Sequence, residues 1–200
     1  MITLRPRPRN AAVTREAIAA AARERFSRHS YDDVGMRDVA GDVGIDAALI
    51  SRYFGSKEDL FAAVLDSCEP SADLLSGPRE SFGARVADQI VFDPKQGDKL
   101  RGMQIMLRSI GSAKAAEVVR NSANANFFGP FSEWLGGPDA VVRVRIIAGL
   151  MMGLAVSREL GGGFGLDEEG RRSLRDRLAA SIQALVDDGG QAVPARAGVG

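Results

Sequence analysis

His29 and Cys68 are the only imidazole and the only thiol in 200 residues, and they bound the chemistry open to this chain. An intrachain disulfide needs two thiols, an all-protein zinc site needs several Cys/His ligands, and a Ser-His-Asp arrangement needs a histidine beside its nucleophile. Neither the SRHSYDD context of His29 nor the DSCEP context of Cys68 supplies such a constellation. We therefore expect no catalytic residues, no metal and no cofactor. Cys68 reads as a small apolar filler and His29 as a surface or loop-bonding group. The glycine run at 161–165 follows no strand, so it reads as a helix connector and not as a phosphate loop. What remains is cationic chemistry. Arg5, Arg7, Arg9 and Arg15 all precede the first acid, Glu16, giving a local charge of +4. Such an arm can follow a phosphate backbone or enter a minor groove; a solubilising tail is the alternative.

The charge is local, because Lys plus Arg is 26 and Asp plus Glu is 26, and no whole-chain field favours nucleic acid or membrane. With 45% hydrophobic and 26% charged residues, the composition suits a soluble globular chain with one or two modest cores. The start, MITLRPRPRN, has no apolar signal-like stretch. The longest apolar run, 146–156, is 11 residues between Arg145 and Arg158, short for a bilayer. The expectation is a cytoplasmic protein with no membrane partner.

The elements that must position these groups read as helices throughout, since apolar residues recur at helical spacing and no stretch alternates as a strand would. A first helix is expected at 14–27, with Thr14 as cap, Val13 and Ile18 at staple spacing, and Ile18, Ala22 and Phe26 on one buried face. A second, at 36–43, follows a Gly35 cap and ends at Gly44, which supplies a left-handed turn. Asp46 can cap a third helix reaching residue 54. Ser56, with Asp59 three residues on, can cap a fourth reaching residue 68, before Glu69-Pro70. Two short helices joined by a glycine turn have the form of a helix-turn-helix. Further helices are separated by the breaks at 76–78, 93–94, 111–112, 136–138 and 161–165.

Residues 14–61 resemble the DNA-binding domain of the TetR family of transcriptional regulators. The resemblance rests on Ala21-Ala22 and Phe26, Tyr31, Val39-Ala40, the Gly44-Ile45 turn, Tyr53-Phe54, Ser56-Lys57-Glu58 and Leu60. Ser30, Gly35 and Ser51 differ from the usual pattern, where a glycine, a Ser/Thr cap and a tyrosine are common. The resemblance implies an all-α fold with an N-terminal three-helix DNA-binding domain and a larger C-terminal helical domain for ligand binding and dimerisation. We assign 1–13 as a flexible basic arm, 14–56 as the helix-turn-helix domain, 57–188 as the effector and dimerisation domain, and 189–200 as a flexible tail. With Ile45, Leu49 or Ile50, and Phe54 facing the core, Ala47, Ala48, Ser51, Arg52 and Tyr53 of the third helix are left for base edges and phosphates. By resemblance, Arg37 reaches a guanine or phosphate and Lys57 a phosphate at the start of the fourth helix.

In the C-terminal half, Val142, Ile146, Gly149, Gly153, Val156 and Leu160 make one seam of a long apolar helix, and Ile147, Leu150, Met151 and Leu154 occupy another side. One seam is expected in the subunit core and the other at a partner, joined by Leu174, Leu178, Ser181 and Leu185 of the next helix in a four-helix homodimer interface of the kind the family uses. Met103, Met106, Phe127, Phe131, Trp134 and Met151 are candidates to line a cavity for a small apolar effector, against the plainer reading that they are core. The expected function is a homodimeric regulator of palindromic double-stranded DNA, a repressor released by a small ligand. The alternative is a ligand-binding or interaction protein whose DNA-binding surface has decayed. An enzyme is the third reading, and it lacks a catalytic constellation.

Overall fold

The computed structural model describes residues 8–68, 74–93 and 96–188, with side chains described from residue 11 onwards, apart from 96–100. Every regular element among them is helical: α1 (Pro8–Arg28), α2 (Met36–Val43), α3 (Ala47–Phe54), α4 (Lys57–Cys68), α5 (Phe82–Phe92), α6 (Gln96–Ser109), α7 (Ala113–Ala123), α8 (Gly129–Leu135), α9 (Ala140–Leu160) and α10 (Glu168–Asp187). A 3-10 turn precedes α5 and a π-helical turn joins α7 to α8.

Helix α1 begins six residues before the expected Thr14 cap. Pro8 suits a helix start because it has no N–H to leave unbonded, and the following Ala11 and Ala12 favour helix. Val13 is 64% exposed, so the expected staple is not made. Of the arm expected at 1–13, Arg9 is helical, while Arg5 and Arg7, like the tail from 189, lie outside the described residues. The next boundaries fall where the sequence puts them. Gly44 turns α2 off at φ 73°, and the Asp46 carboxylate accepts from the Ala48 N–H at 2.7 Å. Ser56 and Asp59 form a reciprocal capping box, at 3.0 and 2.9 Å, that starts α4.

The chain divides into two compact units, each discontinuous in sequence. The first holds α1 to α4 together with residues 98–124. Its core is built on Ile18, Phe26, Tyr31, Ile50, Phe61 and Val64, to which α6 and α7 add Ile105 and Ala115. Phe61 meets Phe26 and Tyr31 edge-on, with ring centres 4.8 and 5.0 Å apart. The boundary expected after residue 56 therefore does not separate the packing, because α4, α6 and α7 share the core of α1 to α3.

The second unit holds residues 74–93 and 125–188, with Phe82, Val86, Phe131, Val144, Ile147, Ile182 and Val186 inside. Helices α5 and α10 approach so closely at Gly83 that any Cβ there would collide with the Ala179 carbonyl. Arg79 donates to the carbonyls of Trp134, Leu135 and Val186 at 3.0, 2.7 and 3.0 Å, joining the ends of α8 and α10. Arg143, 4% exposed, donates to the Leu185 carbonyl at 3.0 Å and to that of Gly136.

Helix α9 has two different sides. Ala140, Arg143, Val144 and Ile147 are buried, and Leu150, Met151 and Leu154 pack partly on the same core. Val142 and Ile146 are 57% and 47% exposed, Leu160 is 84% exposed, and Gly149 and Gly153 face open space. At 21 residues the helix is also long and apolar enough to cross a membrane by length and composition alone, although its longest uninterrupted apolar run is shorter. Its buried Arg143 and core-packed face are those of a helix belonging to a globular unit.

Candidate nucleic-acid interface

The helix-turn-helix is held from behind by apolar packing and from the side by an ion pair. Val39 and Ala40 of α2 and Ile50 of α3 are buried, while Ile45, Ala47, Tyr53 and Phe54 pack partly against the same core. Arg25 of α1 grips Asp42 of α2 with two nitrogens, the Nη2 contact being 2.8 Å, and this hydrogen-bonded guanidinium holds the Asp42 carboxyl below the ordinary carboxylate range. Gly35, which lacks a capping side chain, is compensated: its own N–H donates to the Asp38 carboxylate at 2.9 Å.

Set on this frame, Ala48, Ser51 and Arg52 of α3 are exposed, as is Arg37 near the start of α2. Ala47 and Tyr53 are not free as expected. Both are half-buried against the core, because residues 47, 50, 53 and 54 share the inward side of a two-turn helix. Lys57 is half-buried at the start of α4, its Nζ 4.2 Å from the centre of the Tyr31 ring. Burial, with Glu58 beside it, pushes the Tyr31 phenol above its ordinary value. Arg15, whose charge counts with the basic arm, lies on α1 with its guanidinium carbon 4.4 Å from the centre of the Phe54 ring. Sequence spacing carries no signal for either stacked pair, since the partners lie 26 and 39 positions apart.

The other candidate residues divide between the two units. Phe127, Phe131, Trp134 and Met151 belong to the second core, where Phe131 is 1% exposed and stacks among Phe82, Phe127 and Trp134. Met106 packs on the first core, and Met103 is buried on the same helix. On α9 the seam of Val142, Ile146, Gly149 and Gly153 is exposed and Val156 half-buried. On α10, by contrast, Leu178 is buried and Leu185 half-buried in the subunit's own core, with Leu174 half-buried. Leu178 and Leu185, expected at a partner, are used inside because α10 packs broadly on α5. Its outward positions include Ser173, Arg177, Ala180, Ser181 and Ala184, along with charged residues such as Arg172 and Asp176. Among the described residues no group of three or more His, Cys, Asp or Glu side chains is placed to hold a metal ion.

Residues 18–64 match the family profile described as bacterial regulatory proteins, tetR family, and residues 80–186 match that of the tetracyclin repressor-like C-terminal domain. The HTH-type transcriptional regulatory protein RaaS of Mycobacterium tuberculosis is 35% identical over 103 residues, 48% of each chain. The HTH-type transcriptional regulator BetI of Agrobacterium fabrum is 36% identical over 80 residues, 36% of this chain and 39% of that protein. The matched stretch thus spans half or less of the length of these curated relatives. Among solved structures, NalD, the secondary repressor of the MexAB-OprM multidrug efflux pump in Pseudomonas aeruginosa, shares the fold with a TM-score of 0.66 at 20% identity, over 85% of this chain and 95% of that one. With one profile on the helix-turn-helix and the other on more than half of the chain, the protein belongs to the TetR family of bacterial regulatory proteins.

Proposed function

We propose that this chain is a homodimeric, sequence-specific DNA-binding transcriptional regulator of palindromic double-stranded DNA, acting as a repressor released by a small molecule. The observation that carries the reading is α3. It is an eight-residue helix locked into the core by Ile50 and set beside α2, which the Arg25–Asp42 pair ties to α1, with small Ala48 and Ser51 beside Arg52 on its open side. Small residues let the backbone approach base edges, and the guanidinium can donate two bonds to a guanine or a phosphate. The carboxylate cap on Gly35 argues against a decayed surface, because the second helix keeps its start without the usual hydroxyl.

The exposed α9 seam supports the homodimer, since an apolar stripe of this kind is matched by a second copy in a two-fold arrangement. The aromatic set of Phe127, Phe131 and Trp134 with Met151 supports a small apolar effector in the second unit. The reading places the protein in the cytoplasm and assigns it no catalysis.

Selection of duplexes from a random pool tests the proposal. A two-fold-symmetric motif with half-sites about 34–36 Å apart is expected. Arg37→Ala and Arg52→Ala should each weaken binding to it by about 1–3 kcal/mol where the side chain reads a base, and Lys57→Ala should weaken all duplexes alike. No enrichment, or normal binding by all three variants, overturns the assignment.

A further inference from the structure

Arg15 stands apart from the other described arginines of its helix. Arg23 donates to Ser67 at 3.0 Å, Arg25 to Asp42 at 2.8 Å, and Arg28 pairs with Glu24. Arg15 is exposed and has no carboxylate partner among the described residues. Its guanidinium instead covers the ring of Phe54, the last residue of α3, which itself rests on the core of the first unit. A guanidinium held over a ring that packs on a core loses rotamer freedom while its N–H groups stay open to an acceptor. That is the pre-organised half of a bidentate contact to a planar or tetrahedral oxyanion. A helix lying in a major groove about 12 Å wide has phosphate rows along both flanks, so a cation fixed beside one end of that helix is presented to the backbone.

We infer that Arg15 is a DNA phosphate contact and that Phe54 is its positioning residue. The inference rests on the proposal that α3 enters the groove. It narrows the general backbone or minor-groove role that the sequence suggests for the basic cluster to one fixed side chain. It also gives Phe54 two duties, packing on the core and lying beneath the cation. The rival is that the guanidinium only shields the ring and complements the carbonyl end of α3.

The test uses the full-length protein and the duplex it enriches from a random pool, with affinity measured across a salt series. Arg15→Gln is expected to weaken binding roughly tenfold and to reduce the slope of log K against log salt by about 0.9 for each phosphate no longer neutralised. Arg15→Lys keeps the charge but not the planar stacking, and should bind more weakly than the parent while retaining most of the slope. Thermal unfolding of each variant separates the removal of a phosphate partner from damage to the fold. If Arg15→Gln keeps the parent's affinity and slope while Arg52→Ala is impaired, the Arg15 inference fails and the DNA-binding reading stands. A loss of stability in Arg15→Gln with unchanged DNA binding assigns the stacking to structure alone and also overturns it. If the parent enriches no duplex and shows no salt-dependent binding, both fall together.

Discussion

The Ser112 hydroxyl donates to the Asp32 carboxylate at 3.0 Å while accepting from the Ala115 N–H at the start of α7. One side chain thus caps a helix and holds the loop that leads into α2, 80 positions away in sequence. Lys114 pairs with Glu58 at 3.7 Å, and Ser122 donates to Asp66 at 2.7 Å, so α7 is fastened along α4 at two further points. The helix-turn-helix is therefore braced by residues that fall inside the stretch matching the C-terminal family profile.

Ser112→Ala removes both bonds from a site that is 7% exposed. We expect a drop of roughly 1–2 kcal/mol in unfolding free energy, as for a helix cap with a buried partner, and faster amide exchange at Asp33 and Val34. Equilibrium denaturation together with hydrogen exchange checks both. A variant as stable as the parent with unchanged exchange would mean the brace is not made in solution.

The Asp42 carboxyl is held low by Arg25. An unfolded chain takes up its proton near the ordinary value of about 3.9, before the folded one does. The stabilisation is therefore full above that pH and is lost as the pH falls through the lower folded value. Asp42→Asn should flatten this part of the acid-denaturation profile, with the difference from the parent shrinking as the pH falls below the ordinary carboxylate value. Denaturant midpoints at a series of pH values decide it, and parallel profiles would reject the pair as a source of pH dependence.

Phe61 is fully buried between two aromatic edges. Phe61→Ala should cost about 3–5 kcal/mol and abolish DNA binding by unfolding the first unit, whereas Phe61→Leu should retain both at reduced stability. Thermal melts beside binding assays distinguish this route from the removal of a group that touches DNA.

A Cβ at Gly149 or Gly153 meets nothing within 4 Å in the isolated subunit. Replacing both with Leu should leave the subunit's helical signal unchanged and weaken self-association by about 1–3 kcal/mol per site, where two backbones must approach. Sedimentation over a dilution series reads the effect. Unchanged association would remove these glycines from the proposed interface.

The short helices were legible because their ends are local events: Gly44, Asp46 and the Ser56–Asp59 box each act within four residues. The two sides of α9 were legible from periodicity in the same way. The destination of an apolar stripe was not. Leu178 and Leu185 have the spacing of an outward seam, yet α10 spends them on its own subunit, because only the α5–α10 approach at Gly83 decides which side is inward. Nor could Thr14 announce that it lies mid-helix. Thr14 is an acceptable cap, and the helix runs past it because the preceding Pro8 and alanines also favour helix. Stacked and bridged pairs such as Arg15–Phe54 and Asp32–Ser112 depend on the tertiary path of the chain and leave no mark in spacing.

Arg79 also constrains how the protein is made. Its three carbonyl partners lie 55, 56 and 107 residues downstream, the last at the end of α10. The guanidinium acquires all its acceptors, and Phe82, Val86 and Ile90 their cover, only when residue 186 has left the ribosome. At roughly 5–20 residues per second, that is a wait of about 5–20 s, during which the second unit's first helix is exposed to chaperones and proteases. Messages cut short between residues 124 and 186 would yield a chain that can complete the first unit but never close the second.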